Sequence, residues 1–201
     1  MGLRELKRER TRRLISDKAF ELFTDHGFGR TTVEQIAAAA EVGPSTLYRY
    51  FPTKETLVLE FVEHSLFGAL DWFREQPADA ELPDALEQVI GRVLDLMESN
   101  PDRVRAVYEL AGQTPSLSAH LTDATWRWRT ELSVELERRL PGAGSTAGLT
   151  AKLAAGIAMN IIEIVVETWV AAPDGPSVKD LAKNTLGLLR DGAIPLPRTP
   201  H

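Results

Sequence analysis

Apolar residues recur along this chain at spacings of three and four, broken at intervals by glycine, proline and capping residues. Leu3 to His26 reads as a first helix, with Leu14, Ala19, Phe20 and Phe23 among its apolar positions and His26-Gly27 as its stop. Its front, RELKRERTRR, carries no core-forming pattern and reads as a basic arm. Next comes TTVEQIAAAAEVGPSTLYRYFPTK, from Thr31 to Lys54. Thr32 caps a short second helix whose apolar face is Val33, Ile36 and Ala37. Ala40-Glu41-Val42-Gly43 turns the chain, Gly43 or Ser45 caps a third helix, and Pro44 is pre-set for its first turn. Leu47 and Phe51, four apart, point back into the core shared with the second helix. Ser45, Thr46, Tyr48, Arg49 and Tyr50 are left on or near the open side.

Beyond Pro52 the same periodicity continues. Thr53 caps a helix to about Arg74 that buries Leu57 and Phe61, and Pro77 to Pro83 breaks the chain. A helix from Pro83 to about Ser99 carries Leu86, Val89, Ile90, Val93, Leu96 and Met97. Asn100-Pro101 restarts a helix that ends near Gly112, and Thr114-Pro115 opens a long one to Leu140 with the stripe Leu117, Leu121, Trp128, Leu132 and Leu136. PGAGSTAG follows as a loop, then a helix from Thr146 to Ala172, a PDGP break, and a last helix from the Ser177 cap to Arg190. This is an all-α chain of about nine helices with no convincing strand. The reading divides it into a basic arm and DNA-binding domain over 1–54, a larger helical ligand-binding and dimerisation domain over 55–191, and a loose tail over 192–201.

Composition narrows the chemistry. The chain has 201 residues, 43% hydrophobic and 26% charged, and no cysteine, which removes disulfides, thiolate metal sites and cysteine nucleophiles. The N-terminus is too charged for a signal peptide, and no uninterrupted apolar run is expected to reach membrane-spanning length, so a cytoplasmic protein without a membrane partner is expected. The net charge of −6 is unevenly spread. Residues 1–60 hold 10 Lys/Arg against 9 Asp/Glu, and residues 61–201 hold 13 against 20. Within 1–13 the count is 6 against 2, which is where a phosphate footprint needs positive charge.

A short helix pair over about 32–51, with small polar residues opening its second helix, suits a DNA helix-turn-helix. Lys54 falls in the first turn of the next helix, where the dipole disfavours a cation, and so reads as a phosphate clamp. The carriers AFELFTDHGFGRTTVEQIAAAAEV and STLYRYFPTKETL together resemble the N-terminal domain of TetR-family transcriptional regulators. One position departs from the commonest form of that motif: Glu41 stands where a glycine is usual in the turn, at a cost of roughly 1 kcal/mol if its backbone is left-handed. On this reading Pro44, Ser45 and Thr46 face base edges with Arg49 at their margin. Thr31, Thr32, Tyr48, Tyr50 and Lys54 hold phosphates, and Arg10 and Arg12 extend the contact from the arm. A repressor on a near-palindromic operator is expected, with half-sites about 34–36 Å apart.

The second domain shows no HExxH, GxSxG or other catalytic pattern, and GAGSTAG follows a helix rather than the strand a dinucleotide loop needs. No enzyme activity, cofactor or metal is expected. A small-molecule pocket is the better reading, lined by Phe61, Met97, Tyr108, Trp126, Trp128 and Met159 with His120, Asn160 and Glu163 as polar contacts. The stretch NPDRVRAVYELAGQTPSLSAHLTDATWRWRTELSVELERRL is similar to a TetR subgroup with acyl-CoA-like ligand-binding domains, which implies an acyl-type effector. The helix from Thr150 to Ala172 is apolar nearly all round, so both faces need cover. Ala151, Ala154, Ala158 and Ile161, with Leu181, Leu186 and Leu189, are the expected homodimer interface. The alternative is a DNA-binding dimer whose second domain is a ligand-free protein-docking module.

Overall fold

Prolines and hydroxyl residues open the helices close to where the sequence marks them. The computed structural model describes residues 2–140 and 145–195. Its elements are α1 (Leu3–His26), α2 (Val33–Ala39), α3 (Pro44–Tyr50), α4 (Lys54–Glu75), α5 (Leu82–Glu98), α6 (Pro101–Gln113), α7 (Pro115–Arg139), α8 (Ser145–Ala171) and α9 (Val178–Arg190). Among the described residues there is no strand, and the fold is all-α, a helix-turn-helix domain followed by a helical C-terminal part. Residues 141–144 of the expected glycine-rich connection and residues 196–201 of the expected tail lie outside the described residues.

Local chemistry sets the helix ends. Thr32 and Gln35 form a reciprocal capping box at α2, each side chain bonding the other's backbone N–H. Thr53 and Thr56 do the same ahead of α4. Ser177 accepts from the Asp180 N–H at α9. Gly27 ends α1 at φ +83, and its N–H bonds the Phe23 carbonyl.

The chain forms two compact units, one comprising residues up to His64 with Pro101–Ala124, the other Ser65–Asn100 with the described residues from Thr125 onward. In the first unit Arg103 ties α6 to α1. It is buried, its Nη1 lies 2.9 Å from Asp17, its Nη2 bonds the Ser16 hydroxyl, and its guanidinium covers the rings of Phe20 and Phe61. Ile15, Ala19 and Phe23 form the buried stripe of α1, whereas Leu14, expected among its apolar positions, is exposed.

In the second unit Trp128 is fully buried and its Nε1 donates to the Leu66 carbonyl at 2.8 Å. α8 packs against α5 and α9. α8 is the helix that comes nearest to membrane-spanning character: Thr146–Ala171 is long and apolar enough by length and composition, although Lys152, Glu163 and Glu167 interrupt its apolar run. Burial of Ala151, Ala155, Ala158 and Val165 within this unit accounts for much of that apolar character.

Candidate nucleic-acid interface

The turn between α2 and α3 is built around one residue. The Val42 N–H bonds the Ala37 carbonyl and the Glu41 N–H bonds the Ala38 carbonyl, the pair of contacts that closes a helix through a left-handed residue. That residue is Glu41, at φ 54. Gly43 then caps α3, with Pro44 in its first turn. Leu47 and Phe51 are buried, which fixes the face α3 turns outward. On that face Pro44, Ser45 and Arg49 are exposed, Tyr48 is 47% exposed, and Thr46 and Tyr50 are half-buried. Among the described residues none hydrogen-bonds the side chains of Ser45, Thr46 or Tyr48. Thr32 is exposed as well, although its hydroxyl already serves the α2 cap.

Three residues assigned to DNA from the sequence have other partners. Thr31 is 1% exposed, and its hydroxyl donates to the carbonyls of Leu22 and Gly27 at the end of α1. Lys54 Nζ donates to the carbonyls of Phe28 and Thr31 at 2.8 and 3.0 Å and sits 4.4 Å from the centre of the Phe28 ring. A cation at a helix start is unfavourable for its own helix, but here it serves two carbonyls of the loop after α1. Arg12 is paired with Glu60 of α4, Nε to Oε1 at 2.6 Å, and lies over the Phe51 ring. The hydrogen bond it donates to Glu60 is the main cause that raises the Arg12 pKa above its ordinary value. Arg10 remains exposed.

Arg4, Lys7, Arg8 and Thr11 of α1, with Arg49 and Tyr50 of α3, line a cleft of about 460 Å³. The three cations of α1 were not singled out individually from the sequence, although spacings of three and four place Arg4, Lys7, Arg8 and Thr11 on one helical face.

The residues expected to line a pocket divide between the units. Phe61 and Tyr108 are half-buried and His120 is exposed in the first. His120 Nδ1 lies 2.8 Å from the Ser116 carbonyl. Beside it, burial pushes the Glu55 carboxyl up, yet hydrogen bonds from its own N–H, Ser116 and Thr53 and the nearby His120 bring it below its ordinary range. In the second unit Met97, Trp128 and Met159 are buried. Trp126 is exposed and lines a surface cleft of about 340 Å³ with Arg129, Thr130, Ser133, Lys152 and Gly156. Asn160 is exposed and Glu163 half-buried on α8.

The family described as bacterial regulatory proteins, tetR family, matches residues 15–61, which contain α2, α3 and the turn between them. The transcriptional regulator TcmR of Streptomyces glaucescens is 38% identical over 125 residues, a match that covers 59% of this chain but only 55% of TcmR. MftR of Mycobacterium tuberculosis, a transcriptional regulator assigned provisionally to mycofactocin biosynthesis, is 33% identical over 139 residues, covering 68% of this chain and 69% of MftR. The chain belongs to the TetR family. The family and these relatives are transcriptional regulators, not enzymes. The TetR-family repressor FadR of Thermus thermophilus, solved with lauroyl-CoA, shares the fold at a TM-score of 0.59 and 22% identity, over 94% of this chain and 98% of FadR.

Proposed function

We propose that this TetR-family chain is a homodimeric repressor, released from a near-palindromic operator by an apolar or acyl-type ligand. The observation that carries the reading is the outward face of α3, where Pro44, Ser45, Thr46 and Tyr48 stand on a buried Leu47–Phe51 base with no partner for their hydroxyls among the described residues. Entering a major groove, the start of α3 brings Pro44, Ser45 and Thr46 to base edges with Arg49 at their margin, while Thr32, Tyr48 and Tyr50 meet the backbone. Its target is DNA, so the reading places the protein in the cytoplasm. The lauroyl-CoA in the FadR structure supports an acyl-type effector. Release requires only that the effector bind the DNA-incompetent state more tightly, and a hundredfold loss of operator affinity corresponds to about 2.7 kcal/mol of that difference.

The homodimer reading is supported by α8 and α9, with a changed set of residues. Ala151, Ala158 and Ile161 are buried within their own unit, while Ala154, Leu181, Leu186 and Leu189 are half-buried. The uncovered apolar side chains are Leu149 and Leu153, each 67% exposed, Ile164 at 51%, and Leu188 of α9. Leu149, Leu153 and Ile164 fall on one face of α8, and a second copy of that face is the cover we assign to them.

Selection of bound duplexes from a random-sequence pool with the full chain tests the reading. Recovery of a two-fold symmetric site bound more tightly than random duplex, with strong salt dependence, is the expected outcome. A pool that shows no enrichment would refute it.

A further inference from the structure

The connection between α4 and α5 turns on Pro77, whose carbonyl accepts the Ala80 N–H, and Pro83 then sits in the first turn of α5. Leu82, Pro83 and Leu86 there share the lining of a groove with Leu136 and Leu140 of α7 and Ala154 of α8. The groove has a volume of about 580 Å³ and lies wholly within the second unit. Leu136 is buried, while Leu82, Leu86, Leu140 and Ala154 are half-buried. Small-molecule sites have volumes of roughly 300–1,000 Å³ and linings that are mainly apolar, and this groove matches both. Arg139 completes the lining. Its Nη2 donates to the Phe73 carbonyl at 2.7 Å and lies 3.3 and 3.4 Å from those of Gln76 and Arg74. Its guanidinium stands 4.2 Å from the centre of the Phe73 ring. Its Nη1 is buried and has no hydrogen-bond partner among the described residues. A buried guanidinium N–H forfeits its hydrogen-bond energy until an acceptor reaches it.

We infer that this groove binds a small amphipathic carboxylic acid, its apolar body along the leucines and its carboxylate on Arg139. The inference rests on the effector reading above and gives that effector a place and a head group. None of the residues expected from the sequence to line a pocket belongs to this groove. A carboxylate fits because a guanidinium presents its N–H groups as a planar fork, and the Nη2 bonds and the Phe73 ring hold that plane in position. Engaging Nη1 displaces apolar cover and breaks no hydrogen bond. Asp79 and Glu81, exposed in the same lining, decide the charge of the head. Two carboxylates beside one guanidinium repel a phosphate dianion or a polyanion, so the head carries a single charge. An apolar cation would meet only those exposed carboxylates, where an ion pair is worth little, and would leave Nη1 without an acceptor.

The test is calorimetric titration of the full chain, free of DNA, with decanoate, decanol and decyltrimethylammonium, probes that share an alkyl chain and differ in head group. Decanoate should bind at least about tenfold more tightly than either of the others. Arg139→Gln should bring decanoate down to the level of decanol. Leu82→Asp adds a carboxylate in the first turn of α5, where the helix dipole favours it, so the fold should be kept. It should weaken decanoate binding by about tenfold or more, and it decides the matter if Arg139→Gln does not fold. Wild-type chain that takes up none of the three probes overturns the site. Decanoate that binds no more tightly than decanol or the ammonium, or that is unaffected by Leu82→Asp, overturns it too. The effector reading fails separately. Decanoate bound as expected with operator affinity unchanged upholds the site and defeats release through it. Operator release by decanoate that Leu82→Asp does not weaken keeps the effector reading and defeats this site.

Discussion

Glu41 holds the left-handed position that closes α2, where an L side chain costs roughly 1–2 kcal/mol. Glycine there removes the strain but adds freedom to the unfolded chain, worth about 0.4–1 kcal/mol in the other direction. Glu41→Gly should therefore raise stability by up to about 1.5 kcal/mol, seen as a higher urea midpoint with an unchanged m-value; a lower midpoint would mean that Glu41 makes a compensating contact. Lys54 is the second residue whose role follows from its partners. Its bonds to two carbonyls and its place over Phe28 brace the loop between α1 and α2. Lys54→Met should lower stability by about 1–2 kcal/mol through the lost charged donor. The salt slope of DNA binding should stay as it is, and a slope reduced by about one would return Lys54 to the phosphates.

At the scale of an element, α8 has two apolar faces with different fates. Leu153→Glu places a charge on the uncovered face, and light scattering should find a dimer for the wild-type chain and a helical monomer for the variant. Ala158→Leu instead adds volume where α8 is already packed, with an expected loss of about 1–3 kcal/mol in stability. A dimer that survives Leu153→Glu would remove that face from the interface. Glu163 supplies a pH signature on the same helix. Burial first, and then the like charge of Glu167, push its carboxyl up, against smaller pulls from Thr125 and Arg129. A group with a raised folded-state pKa favours folding below its unfolded value, and that contribution is lost as pH rises through the folded value. Glu163→Gln should thus melt above wild type at neutral pH, with the gap closing as pH falls into the ordinary carboxylate range. A gap independent of pH would show that the carboxyl's ionisation is not its source.

For the whole molecule the consequence is one of phase. On the proposed homodimer, two copies of α3 related by a dimer axis should meet half-sites a whole number of helical turns apart, about 10–10.5 base pairs per turn. Inserting about five base pairs between the half-sites of a selected operator turns one of them to the opposite side of the duplex. Affinity should then fall to that of random duplex, as read by gel shift; retention of full affinity would mean that each copy binds alone.

The helices, their caps and the outward face of α3 were legible in the sequence, because each depends on residues within a turn or two of one another. Thr32 with Gln35, Gly43 with Pro44, and Leu47 with Phe51 are local arrangements that the chain order specifies. The left-handed Glu41 was legible too, as a glycine position without its glycine. Only the tertiary structure decided which cations are free. Arg12 meets Glu60 and Lys54 meets the carbonyls of Phe28 and Thr31 across long loops, and periodicity carries no information about such pairings. It also decided which face of α8 is covered. A helix that is apolar all round has no phase to read, so the alanines that pack inward and the leucines left outside become distinguishable only once α5 and α9 are in place.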